Sequence, residues 1–164
     1  EVKELLWEIK KSFNDSPKII AVNIEKQQTV STIIQLSKNY QATYSLPKKY
    51  LYEPNASLLK SGGFEAVSEL FALDKLHQHS HLYTADEIKD FQGRRFEITK
   101  EIPFQKNDLK EYIQNQKMNV TTRNFPLKVE DIKKKYKISD GGTLFAFFTT
   151  NLKNEKIVLL CTKI

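Results

Sequence analysis

His77, His79 and His81 are the only histidines in the chain and alternate along KLHQHSHLYT. In an extended segment alternate residues share a face, and an H-x-H pair suits one zinc ion. The outer two would lie ~13 Å apart, too far to share an ion without a bend. No cysteine or further histidine is at hand to complete the set, so these imidazoles are expected at the surface or in hydrogen bonds, with no metal. Cys161, the one cysteine, lies in an apolar terminal stretch without an activating neighbour and reads as a core residue. The glycines stand at Gly62-Gly63, Gly93 and Gly141-Gly142, which makes neither a G-x-G-x-x-G fingerprint nor a P-loop. No pair of carboxylates stands out as acid and base. The chain is expected to hold no catalytic, cofactor-binding or metal-binding residue of its own.

Charge is the more informative chemistry. The 164 residues carry 26 Lys+Arg against 20 Asp+Glu, a net of +6. Residues 1–93 hold 11 basic and 12 acidic side chains, residues 94–164 hold 15 and 8. The second part is therefore +7 and the first −1, which suggests a polyanion-facing module on a neutral scaffold. Only Arg94, Arg95 and Arg123 are arginines. Lysine is a flexible point charge, so the composition favours attraction to backbone phosphate over base reading. A lysine-covered helix is also what any solvated face looks like, and the +7 half is what raises nucleic acid above that reading.

The elements that position these residues follow from periodicity. Val2, Leu5, Leu6, Ile9 and Phe13 have helical spacing, ended by Asn14-Asp15-Ser16-Pro17. KIIAVNI (residues 18–24) reads as a buried strand, residues 25–28 as a turn, and VSTIIQL (30–36) as a second strand. Glu53-Pro54 is expected at the first turn of a helix. Its stripe of Leu58, Leu59, Val67, Leu70 and Phe71 breaks into two pieces at Gly62-Gly63. KLHQHSHLYT reads as extended and residues 85–93 as a turn-rich link. RRFEITKEIPF (94–104) reads as a strand, followed by a helix capped by Asn107 or Asp108. A β-prone MNVTTRNF comes next, then a short helix with Leu127, Val129, Ile132 and Tyr136 inward and lysines outward. Two closing strands, 143–150 and 157–164, form a hairpin that is apolar on both faces and needs cover on each. The fold class is α+β, with a small mixed sheet expected in each part. No apolar run approaches the ~20 residues of a membrane helix. One cysteine suits a reducing, cytoplasmic compartment.

PKKYLYEPNASLLKSGGF, KLHQHSHLYTAD, RRFEI, RNFPL and KKYKISDGG before LFAFFTT resemble the C-terminal region of bacterial, Bacteroidetes-type class I S-adenosylmethionine-dependent methyltransferases. Y-L-Y-E-P-N and R-N-F-P-L are the most specific segments. His77 and His81 fit the L-H-x-x-x-H-L pattern and His79 does not. The resemblance implies a ferredoxin-like domain over residues 1–91 that lacks its first strand, and a THUMP-like domain over residues 92–164. It also implies an upstream methyltransferase domain of the same chain that binds S-adenosylmethionine, with no cofactor in this part. THUMP domains are RNA-binding modules, so the implied role is an accessory one, holding structured RNA (tRNA or rRNA) for methyl transfer. Ranked by charge and position, the phosphate-contact candidates are Arg94, Arg95, Arg123, Lys128, Lys133, Lys134, Lys135 and Lys137, with Asn124 as a hydrogen-bonding neighbour. The competing expectation is a docking or dimerisation module (a homodimer, or a platform for the catalytic domain) without direct RNA contact.

Overall fold

A computed structural model describes residues 5–25 and 28–164. Its first elements are β1 (Lys18–Glu25) and β2 (Gln28–Gln35), an antiparallel ribbon separate from the main sheet. Next come β3 (Thr43–Tyr44), β4 (Tyr50–Pro54), α1 (Ala56–Ser61), α2 (Phe64–Phe71), β5 (Asp74–Lys75) and β6 (Tyr83–Ala85). The second part runs β7 (Gly93–Pro103), α3 (Lys106–Tyr112), β8 (Asn119–Arg123), α4 (Val129–Tyr136), β9 (Leu144–Thr150) and β10 (Lys156–Lys163). This β, α, β, α, β, β order is the one the sequence predicts.

The two parts do not have separate sheets. All eight strands from β3 onward form one sheet, in the order β3-β5-β6-β4-β7-β10-β9-β8. The joint is β7, an 11-residue strand whose start pairs with β4 (Tyr50↔Glu97 to Pro54↔Gly93) and whose end pairs with β10 (Lys163↔Phe96 to Ile157↔Pro103). A strand this long outruns either neighbour, so it serves both. Its register against β10 shifts between Leu160 and Cys161, leaving Thr99 unpaired as a bulge. An extra residue reverses the inward and outward sense of a strand. Phe96 and Ile98 therefore pack on one face with Cys161, Leu159 and Phe147, whereas Ile102 packs on the other with Val158, Leu160 and Phe148.

The outer face is covered by helices. Leu58 of α1 and Val67 of α2 pack over Tyr52 and Tyr83, and Leu109, Ile113, Ile132 and Tyr136, from α3, α4 and the residue after α3, pack over Ala146, Phe148 and Val158. The inner face holds Leu51, Phe96, Phe147, Ile157, Leu159 and Cys161, filled by Leu76 and Leu82 from the connection between β5 and β6. Both faces of the closing hairpin are thus covered within this chain, the second by the neighbouring part.

Several local expectations need correction. Residues 5–17 contain no helix, and Leu5, Leu6, Trp7 and Ile9 are exposed; Val2 lies outside the described residues. A helix of that length is marginal without a surface on which to bury its stripe, and no described residue provides one. The strand over 18–24 forms but is not buried. Only Ala21, with Thr32 and Ile34 of β2, is buried, while Ile20, Val22, Ile24 and Ile33 are exposed. Glu53 and Pro54 end β4 instead of opening a helix. Asn55 is the N-cap of α1, its side chain accepting from the Leu58 N–H at 2.9 Å. The α1 and α2 pieces do break at Gly62-Gly63, where Gly62 takes the left-handed conformation that closes α1 (φ 72°). Gln105, not Asn107 or Asp108, precedes α3, and no side chain caps it. KLHQHSHLYT is extended only at its ends; residues 77–81 turn back, with Leu76 N–H donating to Leu82 O at 3.0 Å.

Candidate nucleic-acid interface

The residues nominated by charge fall on opposite faces of the sheet. Arg94 and Arg123 lie on the inner face around Glu53, and the α4 lysines lie on the outer, helical layer. Glu53 follows Leu51 by two residues in β4, so it shares the inner face. There it is 3% exposed and holds two guanidiniums: Arg94 Nε donates to Oε2 at 2.6 Å and Arg123 Nη2 to Oε1 at 2.8 Å. Arg94 comes from the adjacent strand β7, Arg123 from the far edge strand β8. Strands lie ~4.8 Å apart, so β4 and β8 would be ~19 Å apart in a flat sheet. The contact exists because the sheet curls around the inner core. One carboxylate shared between two arginines leaves the cluster net cationic, and their side chains are 44% and 35% exposed.

A polar network continues from this clamp. Thr149, the register partner of Arg123, donates to Ser80 Oγ at 3.1 Å, and Ser80 donates to Thr150 O at 2.8 Å. Thr150 Oγ1 donates to Asn124 O at 2.6 Å. Asn124 adopts φ 51°, and its Nδ2 donates to His77 Nδ1 at 3.0 Å. The His79 N–H donates to the same Nδ1 at 3.0 Å, so His77 carries its proton on Nε2 and donates it to Asn154 Oδ1 at 2.9 Å. The His77 ring thus takes the hydrogen-bonding role expected of these imidazoles, whereas His79 contributes its backbone N–H. His81 instead stacks on Phe64, ring centroids 3.6 Å apart. Burial, then the nearby charges of Lys75, His79 and Arg123, hold its pKa below the ordinary histidine value. His81 Nδ1 and Arg123 Nε are buried without a hydrogen-bond partner among the described residues. No group of three or more His, Cys, Asp or Glu there could hold a metal ion.

Arg95 points to the other face of β7 from Arg94, with Nη1 at 3.5 Å from Lys89 O. In the helical layer Lys128 precedes α4 and Lys137 ends it, in the left-handed conformation. Lys133 is paired with Asp140 at 2.5 Å. Lys134 and Lys135 are exposed, Lys135 with its ammonium 5.4 Å from the Tyr136 ring. A groove of about 490 Å³ runs between α3 and α4, lined by Phe104, Lys106, Leu109, Lys110, Gln114, Lys135 and Tyr136. Lys106 and Lys110 are absent from the charge-ranked candidates, although their i, i+4 spacing around Leu109 was there to be read. Glu53 carried no such signal, because its partners come from strands 41 and 70 residues away in sequence.

The thiol of Cys161 is buried and its pKa is pushed far up by that burial. The glycines close α1, open β7 and make the turn before β9. None lies in a loop between a strand end and a helix N-terminus, the geometry that receives a nucleotide-like cofactor. Among the described residues no helix is long and apolar enough to cross a membrane.

Residues 93–163 match the family described as THUMP domain-like, and residues 50–91 match a ferredoxin-like domain family. The class is therefore a mixed α+β region made of a ferredoxin-like and a THUMP-like domain, closed by a C-terminal strand hairpin. A crystal structure of a "putative methyltransferase from Porphyromonas gingivalis W83" is similar at 34% identity and a TM-score of 0.79, over 89% of this chain. The match spans 38% of that protein's length. No curated protein matches the chain. The Y-L-Y-E-P-N, R-N-F-P-L and L-H-x-x-x-H-L segments, far apart in sequence, meet at Glu53, Arg123, Asn124 and His77.

Proposed function

We propose that this chain is an RNA-binding accessory region of an S-adenosylmethionine-dependent methyltransferase, with methyl transfer carried out by a domain upstream in the same polypeptide. The observation that carries the reading is the basic outer layer of the THUMP-like domain, where lysines of α3 and α4 stand exposed on a domain type associated with RNA. Likeness to the Porphyromonas gingivalis protein supports the methyltransferase context. In this reading S-adenosylmethionine belongs to the upstream domain, structured RNA such as tRNA or rRNA is the partner, and the region works in the cytoplasm. Lys128, Lys134, Lys135 and Lys137 attract phosphate; Lys133 does so only by leaving Asp140. Arg94, Arg123 and Asn124 serve first as the clamp between the two parts, and offer their remaining N–H groups at its rim. Arg95, on the other face of β7, is a separate phosphate candidate. The test is binding of tRNA or rRNA pieces at rising salt: affinity falls steeply, and the Lys133, Lys134, Lys135→Ala triple variant has a shallower slope. Absence of binding at low ionic strength contradicts the reading.

A second reading, docking onto the catalytic domain or a second copy, is favoured by one observation. Exposed large apolar side chains concentrate in residues 5–36, with Ile20, Val22, Ile24 and Ile33 on one open face of the β1–β2 ribbon. The two readings use different surfaces and are compatible. Light scattering for a dimer, and binding to the separately produced upstream domain, test it; a monomer that ignores that domain sinks it.

A further inference from the structure

We propose that the groove between α3 and α4 is the track of a single-stranded RNA segment, with Lys106, Lys110 and Lys135 as its phosphate contacts and Phe104 and Tyr136 at its floor. The inference rests on the RNA-binding reading above and assigns that function to one place. Lys106, Lys110 and Lys135 line the groove and no carboxylate does. None of the three forms an ion pair or a side-chain hydrogen bond with a described residue. That sets them apart from Lys133, held by Asp140, and from Arg94 and Arg123, held by Glu53. Lys106 and Lys110 are one helical turn apart, a rise of ~6 Å. That spacing is comparable to the through-space distance between neighbouring phosphates of one strand, so the two ammonium groups can meet adjacent phosphates. Lys135 approaches from α4 on the other wall. The floor is apolar: Leu109 is buried, and Phe104 is half-buried and makes edge contacts with Phe125 and Phe148. Such a surface accepts any base face without reading sequence.

The groove also has a boundary. On the far side of Phe104 lies a second depression of about 560 Å³ that contains Glu101 and Glu155 beside Lys156. Its two carboxylates repel phosphate, so a strand on the lysine side is turned away at Phe104. Charge sign is what selects nucleic acid over an acidic peptide only in part; the aromatic floor, which a carboxylate-rich peptide does not use, decides for nucleic acid.

The experiment measures fluorescence anisotropy of a labelled 12-nucleotide single-stranded RNA with the full chain over a salt series, comparing wild type, the Lys106, Lys110, Lys135→Ala triple variant and the Lys128, Lys134, Lys137→Ala triple variant. All six positions are exposed, and circular dichroism checks that each variant is folded. The groove variant is expected to bind at least about tenfold more weakly at low salt, with a log–log slope shallower by about two, as the loss of three single-strand phosphate contacts requires. The other triple variant is expected to lose less. If wild type binds and the groove variant matches it, the groove assignment is overturned while the RNA reading stands. If wild type does not bind at low salt, the RNA reading itself fails. If a poly-glutamate peptide binds as tightly as the RNA and is lost equally in the groove variant, the site is a peptide groove and the proposal is overturned.

Discussion

Glu53 of β4 accepts a hydrogen bond from Arg123 of β8 at 2.8 Å, although their strands are separated by three others in the sheet. The pair ties the ferredoxin-like part to the edge of the THUMP-like part across the inner core. With Arg94 on its other oxygen, the carboxylate is buried and fully committed, so the clamp is a structural joint before it is anything else.

Breaking that joint from the carboxylate side is expected to be costly. Glu53→Gln leaves two guanidiniums around a neutral amide and should destabilise the chain by about 3 kcal/mol, the range for removing one partner of a buried ion pair. Arg94→Ala or Arg123→Ala should cost less, since the remaining guanidinium still holds Glu53. The two should be non-additive, because they share one partner. Urea unfolding of wild type, the three single variants and the Arg94→Ala, Arg123→Ala double variant checks this; a Glu53→Gln variant as stable as wild type would show that the clamp does not hold the parts together.

His81 makes the fold sensitive to acid. Its folded pKa is depressed by burial beside Lys75, His79 and Arg123, with only Glu65 acting the other way. The unfolded chain therefore takes up a proton that the folded chain refuses as pH falls below about 6.5. Stability is full above that value and declines below it. Between pH 7 and pH 5 the Tm of wild type should drop more than that of His81→Asn, a residue that tolerates the φ of 51° at this position. Equal drops would mean that His81 is not the sensor.

Glu101 has the opposite sign. Burial in its groove and the Glu155 carboxylate raise its pKa, and Lys153 offsets this only in part. The folded state holds the proton longer than the unfolded one, so the stability from this group is present at low pH and lost as pH rises through the raised value. Glu101→Gln is expected to stabilise the chain at pH 7 by less than about 1 kcal/mol, given its exposure, and to have no effect at pH 4. Denaturant midpoints at the two pH values check it.

Much of the THUMP-like part was legible because its signals are local. The strand–helix alternation, the inward Ile132 and Tyr136 of α4, and the closing hairpin all follow from period and turn residues; of the rest of the expected stripe, Leu127 is half-buried just before the helix and Val129 is outside the core. The joining of two expected sheets into one was not legible, since it depends on β7 being long enough to pair with both β4 and β10 and on a bulge at Thr99 that leaves no mark in the hydrophobic pattern. Over residues 5–13 the expected helix failed for a related reason: periodicity reports that a stripe exists, not that a surface exists to receive it. Net charge nominated the lysines of α4 and the three arginines but could not separate free charges from paired ones. Glu53 and Asp140 decide that, and their proximity to Arg123 and Lys133 is a product of tertiary structure.

An NMR titration of the isotope-labelled chain with single-stranded RNA at low salt reports where on the surface the RNA sits. Amide shifts are expected to concentrate in residues 106–114 and 128–137 and to leave the ribbon of β1 and β2 unperturbed. Shifts confined to the ribbon or to the Glu53 clamp, or no shifts at all, would contradict the groove assignment.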